Sequence, residues 1–91
     1  MKLNDFDKAL LQVAVSDFTK ASVVQSGPVD GMDYAETFAR GLRSADQGRN
    51  CGRLTLMVGE ARGLLTSSGH RSHELTDLGK AFVESTLGRA P

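Results

Sequence analysis

With 91 residues, 40% of them hydrophobic and 24% charged, the chain has the size and composition of one small globular domain spanning residues 1–91, not of a disordered or fibrous segment. Its single cysteine excludes an intrachain disulfide and a four-thiolate zinc site, and fits a reducing compartment. Eleven basic residues balance eleven acidic ones, and the N-terminal stretch holds no long apolar run, so neither a signal peptide nor a membrane span is expected and the cytoplasm is the expected location.

Asn4 is placed to cap a first helix running to about Ala21. Leu3, Phe6, Leu10, Val13, Ala14, Phe18 and Ala21 follow helical spacing and form its expected buried stripe. Leu11 and Val15 widen the apolar arc to about half the circumference of the helix. Two explanations stand side by side: a helix buried between two others, or a surface for self-association. Val23-Val24 reads as a short strand, and Ser26-Gly27-Pro28 as a turn. Asp30 or Asp33 caps a second helix from Tyr34 to about Leu42, with Tyr34, Ala35, Phe38, Ala39 and Leu42 inward. Gly41 and Arg43-Ser44-Ala45-Asp46 break that pattern.

A third helix is expected from about Gln47 to Arg62. Cys51, Leu54, Met57, Val58 and Ala61 fall on one face and are expected inside; Arg49, Gly52, Arg53, Leu56 and Glu60 fall on the opposite one. The helix stops at Gly63, the residue type that best tolerates a left-handed terminus. A hairpin over residues 64–75 follows, with strand Leu64-Leu65-Thr66, polar tip Ser67-Ser68-Gly69-His70-Arg71 and return strand Ser72-His73-Glu74-Leu75. Thr76 is the N-cap of a fourth helix, Asp77 to about Leu87, which turns Leu78, Ala81, Phe82 and Leu87 inward. Gly88 to Pro91 is expected to fray. The expected class is mainly α with a small β-hairpin (α+β). Its core is expected to include Leu10, Phe38, Leu54, Val58, Leu65, Leu75 and Phe82.

The neutral net charge hides an uneven distribution. Residues 1–36 carry a net −3, residues 37–73 a net +4 and residues 74–91 a net −1. Every cation of the middle block is an arginine, the side chain best suited to phosphates and guanine edges.

The order helix, hairpin, helix with a basic tip, preceded by two further helices, resembles the winged helix-turn-helix superfamily. The closest likeness is to the DNA-binding core of MarR-type regulators, over about residues 33–85. Glu60-Ala61-Arg62-Gly63-Leu64-Leu65 looks like the end of their recognition helix entering the wing. Glu74 to Phe82 looks like the second wing strand entering the next helix, with a leucine-threonine-x-x-glycine signature at Leu75-Thr76-Asp77-Leu78-Gly79. The segment Arg43 to Gly48 is longer than a tight helix-turn-helix turn.

The resemblance implies a small transcription regulator that binds double-stranded DNA as a homodimer, with helix 47–62 in the major groove and hairpin 64–75 as wing. Its implied DNA-binding residues are Arg43, Arg49, Asn50, Arg53, His70 and Arg71. The same fold also serves protein-binding modules, and a phage- or plasmid-type inhibitor or accessory factor acting on a protein partner is the alternative.

Other chemistry is not expected. Cys51 reads as a small core residue, with a redox-sensing thiol as the minor alternative. His70-x-x-His73 offers two metal ligands with no third in obvious reach, so no metal or other cofactor is expected. Ser67, Ser68, His70 and Asp77 include the residue types of a nucleophilic site, but turns are rich in them and no oxyanion cradle is evident, so the chain is not expected to be an enzyme.

Overall fold

The computed structural model describes residues 3–67 and 73–88. In chain order these form α1 (Asp5–Ser26), α2 (Tyr34–Asp46), α3 (Arg53–Ala61), β1 (Leu65–Ser67), β2 (His73–Leu75) and α4 (Asp77–Leu87). The strands pair antiparallel, with Leu65 opposite Leu75, Thr66 opposite Glu74 and Ser67 opposite His73. The described protein is thus mainly helical with one small hairpin.

Three helix starts are fixed by short polar side chains that take up backbone N–H groups the helix itself leaves unpaired. Asn4 Oδ1 accepts the Asp7 N–H at 2.7 Å, Asp33 Oδ1 accepts the Glu36 N–H at 3.0 Å, and Thr76 Oγ1 accepts the Gly79 N–H at 3.1 Å. Asp33, not Asp30, is therefore the cap of α2. Gly63, at φ 74°, closes the chain segment after α3 as the sequence implies.

Other boundaries differ. Val23-Val24 is not a strand: α1 continues to Ser26, where the Gly27 N–H bonds to the Val23 carbonyl at 2.8 Å. Gly41 does not break α2, which runs on to Asp46. The third helix does not begin at Gln47. Residues 47–52 are a connecting loop in which Gly48 takes φ 72°, a conformation side-chain-bearing residues rarely adopt, and the Arg49 N–H bonds back to the Ser44 carbonyl at 2.8 Å. The helix starts only at Arg53.

The core lies where α1, α2 and α4 meet over β1. Phe38 is its centre and is fully buried. Its ring stacks on Phe18 of α1, centroids 4.8 Å apart, and tilts against Phe82 of α4 at 5.5 Å. Such aromatic pairs add about 0.5–1.5 kcal/mol each beyond the area they bury. Leu42, Leu64 and Leu65 fill the space below them. The hairpin is tied down at its base: Asp46 Oδ1 at the end of α2 accepts the Leu75 N–H at 3.0 Å, and Thr76 Oγ1 donates to the Gly63 carbonyl at 2.6 Å.

The inward face of α1 is only partly the expected one: Ala14 and Phe18 of the expected stripe are buried, but Phe6 and Val13 are not. Leu11, Ala14 and Phe18 are buried and Val15 packs on the core, whereas Phe6 and Val13 are 75% and 42% exposed. The α1 sequence is apolar on more than one side, so periodicity alone cannot choose which side meets the other helices. On α3 the fully buried residues are Thr55 and Gly59, and Met57 faces out at 55% exposure. Leu54, Val58 and Leu75 are half-buried against the core, as is Leu56, which the spacing places on the opposite face of the helix. Leu10 is likewise half-buried.

Candidate nucleic-acid interface

Two of the middle-block arginines are neutralised. Arg40 Nη2 lies 2.6 Å from Glu36 Oε1 one turn earlier in α2, and Arg62 Nη2 lies 2.6 Å from Asp17 Oδ2, clamping the end of α3 to α1. Arg43, Arg49 and Arg53 form no ion pair among the described residues. All three sit at the corner between α2 and α3. Arg43 is in the last turn of α2, where a positive charge also suits the helix dipole. Arg49 and Asn50 are exposed in the loop, and Arg53 is the first residue of α3.

The corner has two sides. Arg49 and Asn50 line a cleft of about 400 Å³ together with Ala45, Gly48, Cys51, Leu56 and His73, so the loop faces the first residue of β2. Arg53 lines a different cleft, of about 370 Å³, with Ser22 and Gln25 of α1 and Thr37 of α2. The expectation that Arg49 and Arg53 share one face of the third helix is thus corrected: Arg49 precedes the helix, and the two flank its entrance from opposite sides. His73 Nε2 lies 3.0 Å from Glu60 Oε1, which ties β2 to the side of α3. Burial pushes the Cys51 thiol above its ordinary value, the opposite of what an activated thiolate needs.

The outward ridge of α3 runs through Arg53, Met57 and Ala61, with Glu60 beside it. Met57 was not among the expected interface residues. Its signal lay in Gly59: a glycine in mid-helix marks close approach, and once Gly59 and Thr55 are taken as the inner face, Met57 must point outward.

His70 and Arg71, the remaining expected contacts, lie outside the described residues, as do Ser68 and the chain end from Arg89. Among the described residues no three of His, Cys, Asp and Glu come together as a metal-binding group, and no helix is long and apolar enough to cross a membrane. Compared with known proteins, the chain matches no family model, no curated protein and no solved structure.

Proposed function

We propose that this chain is a winged-helix module that binds double-stranded DNA and regulates transcription, acting as a homodimer. In this reading α2 and α3 are the helix-turn-helix, α3 enters the major groove, and the β1–β2 hairpin is the wing. The observation that carries it is the set of arginines at the α2–α3 corner that have no ionic partner among the described residues, beside Arg40 and Arg62 whose charges are already matched. Arg43 and Arg49 meet phosphates. Arg53, at the start of α3, reaches a phosphate or a guanine edge, and Asn50, on the Arg49 side of the corner, lies near the entry. Met57, at the centre of the outward ridge, meets thymine methyl groups. The acidic first third of the chain faces away from the duplex.

The test is a salt titration of binding to a broad pool of duplex sequences. Three phosphate contacts per protomer give a slope of log K on log salt of about −2.7, and about −5 for a dimer. A folded protein with no duplex affinity at low ionic strength overturns the reading. A second reading, a module that docks on a protein, is favoured by the same ridge: its centre is a methionine and its flank carries Glu60, an acid that phosphates repel. The flat titration selects that alternative.

A further inference from the structure

The outer face of α1 carries a pattern that the monomer does not use. Phe6, Ala9, Val13, Ser16 and Lys20 are all exposed and repeat with the alternating three- and four-residue steps of a two-helix seam; Val24, 88% exposed, continues the ridge. The ridge from Phe6 to Val24 is about 27 Å long at 1.5 Å per residue. The monomer core takes the other side of the helix, through Leu11, Ala14 and Phe18. Leu11 and Val15, the residues whose spacing first suggested self-association, belong to that core. The seam is elsewhere on the same helix.

We infer that α1 pairs antiparallel with α1 of a second copy of this chain, about a twofold axis near Val13. The charges select both the occupant and its direction. A parallel pair would lay Lys20 on its own copy, two like charges on one seam. An antiparallel pair lays Lys20 across the ring of Phe6 in the other protomer, where the aromatic face attracts the ammonium, and beside Asp5 of that protomer's acidic first turn. The same contact recurs at both ends, as a twofold interface requires. Between them Ala9 and Ser16 are small enough to let the helix axes approach to about 8 Å, with Val13 meeting itself. Association through this face needs no nucleic acid, so it is measured on the protein alone and succeeds or fails separately from duplex binding.

Sedimentation velocity is run from about 1 µM to about 1 mM, a range that a short seam needs. The wild type is expected to shift from monomer to dimer. Phe6→Lys should abolish the dimer, because the new ammonium faces Lys20 of the other chain. Adding Lys20→Glu to that variant should restore it, since each lysine at position 6 then faces a glutamate. Both positions are exposed, and circular dichroism checks that each variant is folded; Val13→Glu, which brings two carboxylates together at the axis, is a second disrupting variant. A wild type that stays monomeric at the highest concentration overturns the inference. So does a dimer that tolerates Phe6→Lys and Val13→Glu, and so does a double variant that stays monomeric, because only the antiparallel pairing rescues by charge exchange.

Discussion

Gly79 in the first turn of α4 lies directly against the carbonyl oxygen of Leu64, so closely that a Cβ at this position would overlap it. That carbonyl also accepts the Thr76 N–H at 3.0 Å. The threonine and glycine of the Leu75–Gly79 signature therefore act together: Thr76 caps the helix and ties it to Gly63, and Gly79 lets it rest on the backbone entering β1.

Gly79→Ala is expected to destabilise the fold by about 2–3 kcal/mol, because the obstacle is backbone and cannot rotate away. Gly59→Ala is the informative comparison. Its Cβ would come within 2.8 Å of Leu42 Cδ2 and 2.9 Å of Leu65 Cδ1, both ends of side chains that can re-pack. A helix-interior alanine also gains about 1 kcal/mol over glycine. Its net cost should be about 1 kcal/mol or less. Thermal melts that rank the two variants in the opposite order would contradict this account of the α4 contact.

The caps were the most legible part of the sequence. Asn4, Asp33 and Thr76 announce helix starts because each offers an acceptor to N–H groups that have no other partner, an effect local to four residues. The hairpin was legible for a similar reason, since a short polar connection between apolar ends reads as one, although β1 starts at Leu65 and takes in Ser67. Much of what failed depends on distant contacts. Gly41 looked like a helix breaker, yet it is the point where α2 receives Thr55 of α3; a Cβ there would come within 2.7 Å of Thr55 Oγ1. Residues 47–52 looked helical because Cys51 fits the stripe, whereas Gly48 and Gly52 each oppose helix formation by about 1 kcal/mol. The arginines of the candidate interface were legible as a cluster. That Arg62 is matched was not, because Asp17 and Arg62 are 45 positions apart.

Leu11→Glu separates the two apolar sides of α1. Leu11 is only 7% exposed, so the variant buries a carboxylate and removes a core side chain. A loss of about 4 kcal/mol or more is expected, enough to unfold much of a small domain. Val13→Glu, on the exposed side, should change the stability of the dilute monomer by about 0.5 kcal/mol or less. Urea titration of the two variants at low concentration gives the comparison. A well-folded Leu11→Glu protein would mean that the inner face of α1 is assigned wrongly.

Cys51 supplies a pH-dependent expectation. Burial raises its thiol pKa in the folded state, so the fold favours the protonated form. This contribution to stability is fully present below the unfolded value, about 8.5, and is lost as pH rises through the folded value. Alkylation at pH 8 should accordingly be slower in the native protein than in urea-unfolded protein. The alkaline decline in stability should be shallower in Cys51→Ala. Native alkylation faster than that of the unfolded chain would point instead to an activated thiolate and reopen the redox reading.

The division of the arginines gives the sharpest test of the proposed interface. Arg40 and Arg62 are matched by Glu36 and Asp17, and the Arg62 and Asp17 side chains remain 38% and 36% exposed, so solvent screens their attraction. Arg62→Ala should cost about 0.5–1 kcal/mol of stability, and Arg40→Ala about 0.3–0.5 kcal/mol, as is usual for exposed pairs. Neither should alter the salt dependence of duplex binding. Arg49→Ala and Arg53→Ala should do the reverse. Stability should stay within about 0.5 kcal/mol, while each lost phosphate contact flattens the slope of log K on log salt by about one unit per protomer. If Arg53 reads a guanine edge, its loss should also cost about 1–3 kcal/mol on the preferred site and relax preference at one base position, a signature that Arg49→Ala should lack. The two measurements are independent, urea melts for stability and salt-titrated anisotropy for binding. A slope that responds to Arg40 and Arg62 but not to Arg49 and Arg53 would move the interface off the α2–α3 corner, since charges already matched by Glu36 and Asp17 would then be the ones releasing counterions.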